Sequence, residues 1–131
     1  MANHIIDTYA WVAYFSGTLG EKAARWIIET GNNQTPTVVL AELKKKYVQE
    51  HLEHFDKDLA FIKRKSFIVP LDEMTAVKAG EIRATIEIEE IGIVDCVLLA
   101  LSRLTGLKVL TGDEHFKGLP EARMINEDNH K

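Results

Sequence analysis

"IGIVDCVLLALSRLTGLKVLTGDEHF", residues 91–116, is the stretch on which the fold turns. From Asp95 to Leu104 it is apolar almost all round, the pattern of a helix buried on every side. Lys108–Thr111 then reads as a strand, and Thr111-Gly112-Asp113 ends it with turn chemistry. Helix, strand, then acid is a pattern that the rest of the chain can be searched for.

The N-terminus repeats part of it. In "HIIDTYAW", residues 4–11, a short apolar strand, His4–Ile6, runs into Asp7, and helical spacing of Trp11, Val12 and Phe15 follows over Thr8–Phe15. Glu21–Thr30 reads as a second helix, ended by Gly31 and a turn at Asn32-Asn33. Pro36 and Thr37 open a helix from Val38 to about Gln49, with Val39, Leu40, Leu43 and Tyr47 on one face. His51–Lys65 continues as a charged helix carrying Phe55, Leu59 and Ile62. Phe67–Val69 is a strand stopped by Pro70, Glu73–Glu87 a helix weakened at its end by β-branched residues, and Arg123–Ile125 a short last strand. Such alternation predicts an α/β layer fold with a mainly parallel sheet. In open sheets of this kind, sites gather at the carboxyl ends of the strands.

Bulk properties bound the answer without choosing a function. A length of 131 residues predicts one domain, 1–131. With 46% hydrophobic and 27% charged residues, the composition is that of a soluble globule. No apolar run approaches the ~20 residues that span a bilayer, so no membrane association is expected. The first residues lack the profile of a signal peptide. The single cysteine, Cys96, excludes an intrachain disulfide framework, fits a reducing cytoplasm, and reads as a small buried hydrophobe. A net charge of −4 gives no global attraction to nucleic acid, so such binding would need a local basic patch or metal ions.

Four acids stand out by context: Asp7 after the first strand, Glu42 bordering the apolar face of "VVLAELKKK", Asp95 at the start of the buried helix, and Asp113 after the strand that follows it. Each has a local explanation. Asp7 and Asp95 stand where a helix cap would, Asp113 belongs to a turn, and Glu42 could pair with Lys45 or Lys46. As a set they say more. If the strands that carry them are neighbours, the carboxylates converge and repel, and burial raises that cost. Hard divalent cations bound through oxygen normally neutralise such a cluster, which favours Mg2+ or Mn2+ over Zn2+. Phosphodiester hydrolysis by a metal-activated water is the chemistry it supports.

The motifs "IIDTYAW", "TPTVVLAEL", "IGIVDCVLLALSRLTG" and "VLTGDEHFKGL" resemble those of PIN-domain ribonucleases. In order and spacing they look like the VapC-like toxins of type II toxin–antitoxin pairs, from about Ile5 to Ile125. The resemblance implies a PIN-like three-layer α/β/α sandwich and an acidic Mg2+ or Mn2+ site that cuts RNA. By matching position, Asp7, Glu42, Asp95 and Asp113 would be the catalytic, metal-binding acids. Thr111 matches a hydroxyl residue that often supports the site. The resemblance also implies a cognate antitoxin whose basic tail covers the site, and commonly a homodimer. Two positions depart from the pattern. Tyr9 replaces a small polar residue, and His115 stands where some PIN domains carry a further acid.

Other residues carry weaker signals. His115 could touch a phosphate or donate a proton, or simply serve its turn. His51 and His54 in "EHLEH" sit one helical turn apart, with no third ligand in sight. Lys44, Lys45 and Lys46, and after them Lys63–Lys65, are the best candidates for contacts to an RNA backbone. Trp11, Phe15 and Trp26 could stack on bases, but their spacing favours core or subunit packing. A non-catalytic module whose acidic pocket receives a basic partner segment is the competing reading. A phosphoryl-accepting Asp7 would want further acids nearby, where Tyr9–Phe15 supplies none.

Overall fold

The computed structural model describes residues 4–20 and 22–125, so Glu21, the expected first residue of the second helix, lies outside the described residues, as do both ends of the 1–131 domain. Five strands, β1 (His4–Ile6), β2 (Asn33–Pro36), β3 (Ser66–Val69), β4 (Lys108–Thr111) and β5 (Ala122–Met124), form one sheet in the order β3-β2-β1-β4-β5. Every pairing is parallel, with Ile5 opposite Gln34 on one side and Val109 on the other. Six helices flank it: α1 (Thr8–Ser16), α2 (Lys22–Thr30), α3 (Thr37–Gln49), α4 (Phe55–Lys65), α5 (Glu73–Thr85) and α6 (Ile93–Thr105). This is the expected α/β/α architecture.

Strand order reverses at β1. From it the chain builds outward through β2 and β3, then returns to the other side for β4 and β5. The crevice beyond the carboxyl ends of β1 and β4 is therefore a topological switch point, where loops on either side diverge and leave room for a ligand.

α6 forms as the sequence predicts. Cys96 through Ser102 are buried without a break, so the helix is covered all round. It stops at Gly106, whose left-handed φ of 82° lets its N–H reach Ser102 O at 2.7 Å. Trp11, fully buried, anchors α1, its ring stacked on Phe15 at 5.6 Å and edge-on to Phe61 at 6.4 Å. Trp26 is 67% exposed and belongs to no core.

Several boundaries differ from expectation. The turn before β2 is made by Gly31 and Asn32, at φ 89° and 62°, and Asn33 is the first residue of a central strand. A tetrapeptide of two amides, a threonine and a proline carries no apolar alternation, so the strand was invisible to hydrophobic pattern. His51–Lys65 is not one helix. α3 ends at Gln49, His51 takes a left-handed φ of 57°, and Leu52 N–H closes on Tyr47 O at 2.9 Å. α4 starts afresh at Phe55, with Asp56 and Asp58 in its first turn and Lys63–Lys65 in its last, a charge order that suits the helix dipole. His51 and His54 are thus not a helical pair. α5 ends at Thr85 because Ile86 is already extended, at φ −74° and ψ 141°. α3 begins one residue early at Thr37, β3 includes Ser66, and β5 runs Ala122–Met124 instead of Arg123–Ile125.

Candidate metal centre

Asp7 follows β1 directly and caps α1, its Oδ1 accepting from Ala10 N–H at 2.8 Å. The cap holds the carboxylate over the sheet end, where it is 4% exposed. Burial pushes its pKa up to about 7; hydrogen bonds from Thr111 and the Ala10 amide oppose the rise, and the charges of Asp113 and Asp95 add to it. Thr111, fully buried at the end of β4, also accepts from Asp113 N–H at 2.9 Å. One hydroxyl thereby ties the acids that follow two neighbouring strands.

Asp95 reaches the same place from α6. It is not a cap: Gly92 occupies that position, and Asp95 lies in the first helical turn. Its pKa is raised, first by burial and then by Asp113, with Glu42 a smaller contributor. Asp113 caps a short 3-10 turn, Glu114–Phe116, accepting from His115 N–H at 2.9 Å. Phe116, fully buried, pins that turn to the core.

Glu42 does not pair with a neighbouring lysine. Its Oε1 accepts from Thr8 Oγ1 at 2.6 Å, while Lys46 turns away to Glu50 at 2.6 Å. Thr8 is the site residue that sequence reasoning passed over; its only signal was its place directly after Asp7. All four acids line one groove of about 750 Å3, together with Thr8, Tyr9 and His115. Lys45 and Lys46 lie on the same groove, further along α3. Lys44 does not line it, its ammonium standing over the Phe55 ring at 4.6 Å.

The wall beside Asp7 depends on a glycine. A Cβ on Gly112 would lie 2.4 Å from the Tyr9 ring and 2.9 Å from Ile125, so only glycine lets Tyr9 seat against this turn. Tyr9 remains 48% exposed in the groove. His115 points inward, its Nδ1 3.1 Å from Asp113 Oδ1 and 3.7 Å from Asp95 Oδ2.

Crowded oxygen donors of this kind suit a hard divalent cation. Ligand atoms of Asp95, Asp113 and His115 all lie within 4.8 Å of one another. Carboxylates whose pKa values are raised by burial and mutual repulsion, as those of Asp7 and Asp95 are, gain from any cation placed among them. The donor set fits Mg2+ or Mn2+.

A parallel sheet with acids converging at its switch point defines a class of acidic-site α/β domains. Within it the chain belongs to the PIN domain family, whose model matches residues 4–122. No match is found among curated proteins. Solved structures with the same fold include a toxin–antitoxin complex from Klebsiella pneumoniae, at TM-score 0.73 and 18% identity over 93% of this chain and 97% of that one. VapBC2 from Rickettsia felis, bound to a DNA fragment from their promoter, gives TM-score 0.73 and 16% identity over 93% and 96%. VapC20 from Mycobacterium tuberculosis, a sarcin–ricin loop cleaving toxin, gives TM-score 0.69 and 19% identity over 91% and 98%.

Proposed function

We propose that the protein is a metal-dependent endoribonuclease and the toxin of a toxin–antitoxin pair. The observation that carries the proposal is the convergence of Asp7, Glu42, Asp95 and Asp113 on one groove of a PIN domain. Similarity of fold to toxin–antitoxin structures supports the biological setting.

Asp7, Asp95, Asp113 and Glu42 would hold Mg2+ or Mn2+, with Thr111 orienting Asp7 and Thr8 orienting Glu42. A divalent ion bound there supplies an activated water at neutral pH and neutralises charge on the leaving oxygen. The protein's own contribution is to hold its carboxylates before substrate arrives: helix and turn caps fix Asp7 and Asp113, the Thr8 hydroxyl fixes Glu42, and the first turn of α6 places Asp95. Lys45 and Lys46 line the same groove and would offer phosphate contacts that offset the repulsion between an acidic groove and RNA. Unpaired bases in an RNA loop give such a groove access that a duplex would deny.

The same acids explain a partner. A basic antitoxin segment, with an arginine in bidentate contact with site carboxylates, would occupy the groove and exclude RNA. A homodimer, as the resemblance implies, and a reducing cytoplasm, which the single cysteine fits, complete the proposed setting. Among the described residues no helix is long and apolar enough to cross a membrane.

The test is cleavage of structured RNA by the purified protein. Activity should need Mg2+ or Mn2+, vanish in EDTA, and yield a 5′-phosphate and a 3′-hydroxyl. Asp95→Asn and Asp113→Asn should each lower the rate by about a thousandfold, the order typical of losing a central electrostatic group. Full activity in EDTA, or a cyclic phosphate product, would overturn the mechanism. A protein that binds basic peptides through the groove but cuts no RNA would be the non-catalytic module instead.

A further inference from the structure

Among the described residues, His115 is the one histidine that lines the acidic groove. Its Nδ1 is shielded from solvent and makes no hydrogen bond, although Asp113 Oδ1 stands 3.1 Å away. The ring is aimed instead at the space between two carboxylates, with Asp95 Oδ2 at 3.7 Å. Local structure fixes that aim. The His115 amide is bonded to the Asp113 side chain at 2.9 Å, and the adjoining Phe116 is fully buried, so the turn cannot swing outward without exposing it.

Two ligands of one small divalent cation stand no more than about 4.2 Å apart, twice a bond length of ~2.1 Å. Both separations from His115 Nδ1 fall inside that limit. We infer that His115 is a nitrogen ligand of the cation held by Asp95 and Asp113, and that it biases the site toward first-row transition cations such as Mn2+ at the expense of Mg2+. The inference rests on the proposed metal-dependent reading. Its chemical reason is donor type: Mg2+ favours oxygen and sheds water reluctantly, whereas imidazole serves transition ions well. The rival role is a charged imidazolium that merely offsets the carboxylates. The two roles differ in sign. Removing a ligand weakens cation binding, and removing a positive charge strengthens it.

The experiment is pulsed electron paramagnetic resonance of the full chain with one equivalent of Mn2+, joined to Mn2+ and Mg2+ affinities by titration. Wild type should show nitrogen coupling to Mn2+, and both His115→Ala and His115→Asp should lose it. Mn2+ affinity should fall about tenfold or more in His115→Ala. In His115→Asp the all-oxygen set should still bind, but with a smaller preference for Mn2+ over Mg2+. Nitrogen coupling absent from Mn2+-loaded wild type, or unchanged in both variants, would overturn the inference while leaving the metal site standing. So would tighter Mn2+ binding by His115→Ala. A wild type that binds no Mn2+ at all would bring down the proposed function and this inference together.

Discussion

Asp7 is a helix cap and a member of an acidic cluster at once: it accepts from Ala10 N–H and from Thr111, and the charges of Asp113 and Asp95 act on the same carboxylate. The two roles pull stability in opposite directions. With a folded-state pKa of about 7 against an ordinary value of 3.8, the native protein holds a proton on Asp7 that the unfolded chain has already released. Stability of the metal-free protein should therefore fall as pH rises from about 4 to about 7, and stay low above that. Asn accepts the same Ala10 bond but cannot ionise. Asp7→Asn should be more stable than wild type in EDTA at pH 8, by about 1–3 kcal/mol once a capping loss of up to ~1 kcal/mol is allowed for. Near pH 4 the advantage should vanish. Denaturant melts at both pH values check this, and a mutant weaker than wild type at pH 8 would mean that Asp7 is a cap alone.

The element most at odds with its sequence is β2, and its stability is polar in origin. Trp11 Nε1–H donates to Thr35 Oγ1 at 3.2 Å, and Ser66 Oγ donates to Ile62 O at 2.8 Å. The Thr35–Ser66 contact of 2.8 Å must then run from the threonine hydroxyl to the serine, giving one directed chain across α1, β2, β3 and α4. Thr35→Val keeps the shape and orphans the Trp11 N–H, so it should cost about 1–3 kcal/mol, while Thr35→Ser should keep most of the network. Equal losses from both, measured by urea unfolding, would show that the methyl group matters more than the hydroxyl. A strand held by hydroxyls leaves no hydrophobic signature, which is why Asn33–Pro36 read as turn and helix entry. β1 and β4, held by apolar burial, were legible to the residue, and α6 was legible as a buried helix although it starts two residues before the expected Asp95 and ends one after Leu104. The same division runs through the site. Asp7, Asp95 and Asp113 follow from apolar strands and a buried helix, so their convergence could be anticipated from the chain. Thr8 and the inward aim of His115 depend on contacts across the sheet end, and no spacing in the sequence encodes those.

Over the whole molecule, charge is arranged and not merely summed. The net charge is −4, yet Lys45 and Lys46 share the acidic groove, which sits at the sheet's switch point. A cation bound among the acids would be held by the cap between β1 and α1, by α3, by α6 and by the turn after β4, so it would join parts of the chain up to 106 residues apart, from Asp7 to Asp113. Ligand that binds only the folded state stabilises by RT ln(1 + [L]/Kd), about 2.7 kcal/mol at a hundredfold excess over Kd. The most direct test is the shift in thermal midpoint between EDTA and saturating Mn2+, measured for wild type, Asp95→Asn and Asp113→Asn. One shared metal site predicts a clear rise for wild type and the loss of most of it in both variants. A wild-type midpoint indifferent to Mn2+, or variants that rise as far as wild type, would mean that the acids do not act as one site.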